Sequence, residues 1–234
     1  METLIYFLRQ IKYNRKGGAS WSQVIHYFRW KAALEAGATS MRERMPWISF
    51  PAIDYLKRTL KRTDRVFEYG GGGSTLFWSE RVAEVVTVEH DEQWFLSLEK
   101  HMKTIHGAQW TGNKLAAAAG ELVPHPDPAD PAHYTSSDTN YTGKNFKAYA
   151  TAIDTYPDGY FDVVMVDGRA RTSCLVHGLP KLKSGGLLIL DNAERAHYTA
   201  KNTALLAPLE VVVCGMAPVI FNRDFSETRI YRKR

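Results

Sequence analysis

Cysteine is almost missing from this chain. The two that occur, Cys174 and Cys214, have no partner at metal-ligand spacing. That excludes a disulfide-stapled scaffold and a cysteine-rich zinc site, and it suits free thiols in a reducing cytoplasm. Long apolar runs are also missing. No stretch of eighteen apolar residues occurs, so no spanning helix is expected. The opening METLIYFLRQIKYNRK has its apolar run broken by Arg9 and Lys12 and offers no small-residue cleavage site, so it does not read as a signal peptide. There is no internal repeat and no low-complexity tract. These absences leave a globular chain of 234 residues, long enough for one large domain with a buried core, and expected to be cytoplasmic.

Acidic residues are scarce at one end. Residues 1–65 hold thirteen Lys/Arg against five Asp/Glu, whereas the remainder holds seventeen against twenty. A basic arm on a slightly acidic body points to an anionic partner: a membrane surface, a nucleic acid or an acidic substrate. A solvated helical face is the plainer alternative. Apolar spacing in 1–64 is helical at Leu4, Ile5, Leu8 and Ile11 and again at Val24, Ile25 and Phe28. Ser20 or Ser22 is positioned to cap the second of these helices, and Pro51 to open a third that runs to about Leu60. The arm is therefore read as a helical, basic extension or lid over 1–64, ahead of a second unit at 65–234.

From Arg65 strands and helices alternate. Val66–Tyr69 and Val85–Glu89 read as strands, with helices from about Ser74 to Arg81 and from Asp91, as cap, to Ile105. Residues 107–143 include VPHPDPADPAH, whose prolines exclude a regular helix or central strand, and read as a loop insertion over the sheet edge. Asn145–Thr155 is expected to be helical. FDVVMVD reads as a buried parallel strand. A helix from about Thr172 to Leu182 is expected to end at Ser184-Gly185-Gly186, before the strand LLILD. LEVVVCG and ETRIYRK then form two strands with no helix between them. The expected architecture is α/β: a doubly wound, Rossmann-like, mostly parallel sheet with a C-terminal antiparallel strand pair and a helical N-terminal extension.

Four consecutive glycines, Gly70 to Gly73, follow the first strand and precede a helix. Glycine there lets a ligand approach the main chain. Glu89 ends the next strand and can accept both hydroxyls of a ribose. Two cofactor classes suit such a site. The dinucleotide pattern G-x-G-x-x-G fits at Gly70 and Gly72 but meets Thr75 at its third glycine. The S-adenosylmethionine pattern [D/E]-x-G-x-G-x-[S/T/G] fits throughout Glu68-Tyr69-Gly70-Gly71-Gly72-Gly73-Ser74. An acidic Glu68 beside the ligand would repel a pyrophosphate and suit the ammonium of a methionine moiety.

With FEYGGGGSTLFW, VVTVEHDEQW and FDVVMVDGRARTSC…LPKLKSGGLLILDN in order, residues 46–234 resemble class I S-adenosylmethionine-dependent methyltransferases. The resemblance implies a cofactor site of Glu68, Gly70, Gly72, Ser74 and Thr75 on the first loop, Glu89 on the ribose, His90 near the adenine, and Asp167 at the end of the fourth strand. Asp167, Asp191 and Asn192 are similar to the Asp-Asp-Asn magnesium site of catechol-type and caffeoyl-CoA-type O-methyltransferases. The lysine base of those enzymes is replaced here by Ala170, with Arg169 and Arg171 beside it. Asp191-Asn192 could equally cap the next helix.

Methyl transfer to a hydroxyl needs alignment and a route for the proton. The residues singled out for catalysis are Asp167 at its strand end, His197 and His177 as candidate bases if no metal serves, and Arg169, which with Arg171 could bind an anionic or sugar-bearing acceptor. A fainter likeness to plant enzymes that methylate glucuronic acid on xylan favours O-methylation of a small-molecule or carbohydrate hydroxyl. The alternatives are a nucleic-acid methyltransferase using the basic arm, and a cofactor-binding protein without catalysis. No Asn/Asp-Pro-Pro-Tyr motif or RNA-binding module supports the nucleic-acid reading. Peripheral membrane contact through the arm and a homodimer are the remaining partner expectations.

Overall fold

A computed structural model describes residues 1–35 and 37–234. Its centre is a seven-stranded sheet. The strands are β1 (Arg65–Tyr69), β2 (Glu84–Glu89), β3 (Gln109–Lys114), β4 (Phe161–Val166), β5 (Leu182–Asp191), β6 (Glu210–Val213) and β7 (Thr228–Arg232). Their spatial order is β3-β2-β1-β4-β5-β7-β6. β1 pairs in parallel with β2 and β4, and β7 runs antiparallel to both β5 and β6. The doubly wound sheet with a C-terminal antiparallel pair is thus the fold the residues form. The last strand does more than hairpin with its predecessor: it inserts between β5 and β6.

The α-helices of five or more residues are α1 (Glu2–Tyr13), α2 (Tyr27–Glu35), α3 (Phe50–Thr59), α4 (Gly73–Ser79), α5 (Glu92–Met102), α6 (Lys147–Thr151) and α7 (Arg171–Lys181). Alternation along the strands divides the interior in two. Phe67, Tyr69, Val164, Val166, Leu188 and Leu190 face one layer, where Tyr149, Ile153, Cys174, Leu175 and Leu179 cover them. Val66, Val163, Met165 and Ile189 face the other, which Phe77 and Trp78 of α4 share with Phe7, Ile11, Trp30, Phe50, Ile53 and Leu56. Residues 1–64 therefore supply part of a layer over the sheet. Ser20 accepts the first cap bond, from Ser22, though the turn it caps (Trp21–His26) is a 3₁₀ segment that leads into α2.

Three expectations need correction. Residues 107–143 are not all loop, because Gln109–Lys114 forms the outer strand β3, paired only with β2. An edge strand needs no continuous apolar run, so QWTGNK carries no strong signal. The proline-rich loop does not cover that edge. It docks on the start of α7, where Thr172 donates to the Pro128 carbonyl at 2.8 Å and Ser173 to that of Pro131 at 2.7 Å. Finally, α7 ends at Lys181, within a residue of its expected limit, but Ser184-Gly185-Gly186 lies within β5, where the register against β4 shifts, rather than between helix and strand. Gly185 donates to the Lys233 carbonyl there, so the C-terminal chain holds the irregular stretch.

Candidate active site

The strand order reverses at β1, and a crevice opens beyond the tips of β1 and β4. Two adjoining cavities occupy it. The smaller, about 190 Å³, is bounded by Gly70 to Gly73, Ser74, Gly168 and Ser40. The larger, about 720 Å³, reaches outward past Asp167, Asp191, Asn192 and Arg195. Trp47, Glu89, His90, Trp94, Asp167 and Arg169 border both.

Each glycine of the loop meets a different neighbour. Gly70 has φ +93°, and a Cβ there would sit 3.0 Å from the Gly168 backbone, so the two strand tips touch only because neither carries a side chain. A Cβ on Gly71 would lie 2.5 Å from the Thr87 methyl, and one on Gly72 would lie 3.2 Å from the Trp94 indole. A Cβ on Gly73 would collide with the main-chain carbonyls of Ser40 and Met45. The fourth glycine is thus required by the N-terminal segment rather than by any ligand pattern.

Glu68 lies beneath this loop and borders neither cavity. Its carboxylate accepts from Ser74 at 2.7 Å, Thr87 at 2.8 Å and the Trp78 indole at 3.2 Å, and also from Thr75. Thr75 in turn accepts from the Gly72 N–H at 3.0 Å, so the glycine loop is tied through Thr75 to Glu68. Burial raises the Glu68 carboxyl to about 7, with the four donors opposing the rise. The contact with a methionyl ammonium expected from the sequence is not available to a side chain turned inward. Glu68 and Thr75 act by shaping the loop.

Glu89 sits at the tip of β2 and does border the crevice. One oxygen accepts from Gly71 N at 3.0 Å, the other from the N–H groups of His90 and Asp91 at 2.7 and 2.8 Å. His90 Nε2 lies 2.8 Å from the Tyr141 hydroxyl and accepts from Arg169 Nε at 3.3 Å. Arg169 also pairs with Asp138 at 3.1 Å and lies over the Tyr141 ring. The end of the 107–143 insertion is thereby clamped across the mouth of the crevice.

At the tips of β4 and β5 the magnesium expectation fails on chemistry. Arg171 is buried between the two aspartates. It donates to Asp167 Oδ1 at 3.0 Å and to the Gly168 carbonyl at 3.1 Å, lies 3.8 Å from Asp191 Oδ2, and also donates to the Asp191 carbonyl. Asp191 Oδ1 is taken by the Thr228 hydroxyl at 2.7 Å. A guanidinium already supplies the cation that these carboxylates face, so Asp167, Asp191 and Asn192 do not fit a divalent ion. Among the described residues no group of three His, Cys, Asp or Glu is placed to hold a metal. Burial, then the nearby Asp191, pushes the Asp167 carboxyl well above its ordinary range, while Arg171 opposes this. Burial also raises Asp191. Burial alone would lower Arg171, but the two carboxylates hold it above its usual value.

His177 and His197 border neither cavity. His177 is held on α7 between Asp154 at 2.8 Å and the Tyr134 hydroxyl at 3.1 Å. His197 is lowered by burial and then by Arg195, and its buried Nε2 has no hydrogen-bond partner among the described residues. The crevice instead gains side chains that sequence reasoning missed: Trp47, Trp94, Tyr141, Arg195, Asn222 and Ser226. Trp94 was the most accessible of them, since it falls in the helical turn directly after Glu89; its indole donates to the Gly71 carbonyl at 2.6 Å.

Comparison with solved structures agrees with this topology. A methyltransferase-like protein from Silicibacter pomeroyi superposes with TM-score 0.51 at 21% identity, over 82% of this chain and 91% of that one. A candidate methyltransferase from Streptococcus mutans, solved in complex with SAH, gives 0.52 at 12% identity, over 78% and 96%. No family model and no curated protein matches the sequence. The chain has the fold of class I S-adenosylmethionine-dependent methyltransferases.

Proposed function

We propose that the protein is an S-adenosylmethionine-dependent methyltransferase acting on a small-molecule or carbohydrate hydroxyl. The observation that carries the cofactor reading is β7, antiparallel and inserted between β5 and β6. A dinucleotide-binding sheet ends with six parallel strands in the order 3-2-1-4-5-6. Thr75 argues the same way, because its hydroxyl fills the place of the third glycine and caps Gly72. The glycine loop and Glu89 would hold the cofactor, with Glu89 on the ribose and His90 and Trp94 beside the base. When bound, the cofactor supplies an electrophilic methyl group on a sulfonium.

The wider cavity supports the acceptor reading. Asn192, Asn222, Ser226, Tyr141 and Trp47 line it, a polar set with aromatic faces suited to a hydroxylated molecule. Asp167 is the base in this reading: it borders both cavities, and burial beside Asp191 raises its carboxyl above the ordinary aspartate range, which makes it a stronger base when ionised. Arg171 positions it and stabilises its ionised form. Trp47, from the N-terminal extension, would shield the reacting groups from water, which is the lid role assigned to that extension. Arg169, occupied by Asp138 and His90, holds the wall and leaves acceptor contact to its neighbours.

Calorimetry with S-adenosylmethionine and with NAD tests the proposal. S-adenosylmethionine is expected to bind and NAD not to, and Glu89→Ala is expected to weaken binding at least about tenfold, the loss of a charged hydrogen-bond partner. Preference for NAD, or unchanged affinity in Glu89→Ala, would overturn it.

A further inference from the structure

We propose that the outward face of residues 1–35 docks on an anionic lipid bilayer. Trp21, Val24, Ile25 and Phe28 recur every three or four residues along the helical run Trp21–His26 and α2. They lie on the side away from the buried Gln23, His26 and Trp30. Ile25 is 76% exposed and Phe28 79% exposed, values far outside what a side chain serving the core shows. On neighbouring α1, Phe7 and Ile11 are buried, while Ile5, Arg9, Lys12 and Tyr13 point outward from the opposite side. The two helices lie side by side, with the Phe7 and Trp30 rings 5.0 Å apart.

The charge around this apolar stripe is predominantly positive. Residues 1–35 contain six Lys/Arg against two Asp/Glu, Glu2 and Glu35 at the two ends of the segment. Arg29 is engaged by Asp54 at 2.8 Å and Lys31 by Glu35 at 3.3 Å. Arg9, Lys12, Arg15 and Lys16 have no ion pair among the described residues. Exposed aromatic and aliphatic side chains beside unpaired cations match the interface of a bilayer carrying anionic headgroups. A nucleic acid would match the cations but leave Val24 and Ile25 without a role, because only aromatic faces stack on bases. A second copy of the chain in a two-fold contact would bring the same cations face to face.

The stripe is also held in place. Trp30 Nε1 donates to the Asn222 carbonyl at 2.7 Å, and Gln23 donates to that of Met216 at 2.9 Å. The face is therefore preformed and need not be ordered on binding. No helix among the described residues is long and apolar enough to cross a membrane, so contact would be from one side.

Cosedimentation of the full chain with phosphatidylcholine vesicles, with and without phosphatidylglycerol, tests this. Binding is expected only with phosphatidylglycerol and is expected to weaken as salt rises. Ile25→Ser with Phe28→Ser, and separately Lys12→Glu with Lys16→Glu, should each lower vesicle affinity about tenfold or more while leaving thermal unfolding and S-adenosylmethionine affinity unchanged. Equal binding to neutral vesicles, no binding to either, or undiminished binding by the serine variant would overturn the proposal. So would sedimentation velocity showing a dimer that the serine variant dissociates, or duplex RNA binding more tightly than the anionic vesicles.

Discussion

Arg171 places its guanidinium between the tips of two adjacent strands, 3.0 Å from the Asp167 carboxylate and 3.8 Å from that of Asp191. Removing the cation leaves two carboxylates buried without compensation. Arg171→Met is therefore expected to cost about 3–5 kcal/mol of stability, measured by urea unfolding. Methyl transfer by the native protein should survive EDTA and gain nothing from added magnesium. Restoration of Arg171→Met by magnesium would show that the carboxylates accept a metal once the guanidinium is gone.

The proton-transfer assignment separates residues that the sequence could not rank. Asp167→Asn should lower kcat by about 10²- to 10⁴-fold, the usual contribution of a general base. His177→Ala and His197→Ala should leave kcat within a few-fold of the native value, since neither side chain borders the crevice. A loss at either histidine as large as at Asp167 would refute the assignment.

Gly73 answers to the N-terminal segment. Gly73→Ala drives a methyl into the carbonyls of Ser40 and Met45 and should lower stability by about 1–3 kcal/mol in thermal or urea unfolding. The same change should loosen Ser40 and Trp47, which line the crevice, so cofactor affinity is expected to fall with it. Native stability in this variant would contradict the packing described.

Glu68 gives stability a pH dependence. Its carboxyl is raised from 4.5 to about 7 by burial. The folded state therefore holds the proton more tightly than the unfolded chain, and folding loses free energy as pH rises through that window, by up to about 3 kcal/mol. Glu68→Gln has no such proton to lose. The stability of the variant relative to the native protein should rise between pH 4.5 and 7 and level off above, as followed by urea unfolding at each pH. A difference that stays flat would exclude ionisation of Glu68 as the cause.

Much of the fold was legible because burial leaves a repeating mark. FDVVMVD and LLILD are nearly all apolar, with aspartate confined to Asp162 and the strand tips, since both faces of a central strand are covered, and β1 and β2 matched their expected limits to within a residue. β3 escaped because an edge strand is half exposed, and the early start of β5 at Leu182 escaped because Ser184-Gly185-Gly186 resembles a helix end while serving as an irregularity in that strand. At the site, Gly70, Gly72, Glu89, His90 and Asp167 do converge on one crevice. The direct contact between Glu68 and a ligand is opposed by its inward hydrogen bonds, since the direction of a side chain at a strand end depends on what packs beside it.

The sequence by itself determined the alternation of strands and helices, the glycine loop and the acidic strand ends, because these follow from short-range periodicity and from residue chemistry. Only the tertiary structure decided that β7 inserts between β5 and β6, that the N-terminal segment lies against Gly73, and that Arg171 stands where two aspartates suggested a metal. Each of those joins residues distant along the chain, and such meetings depend on packing that no local pattern encodes.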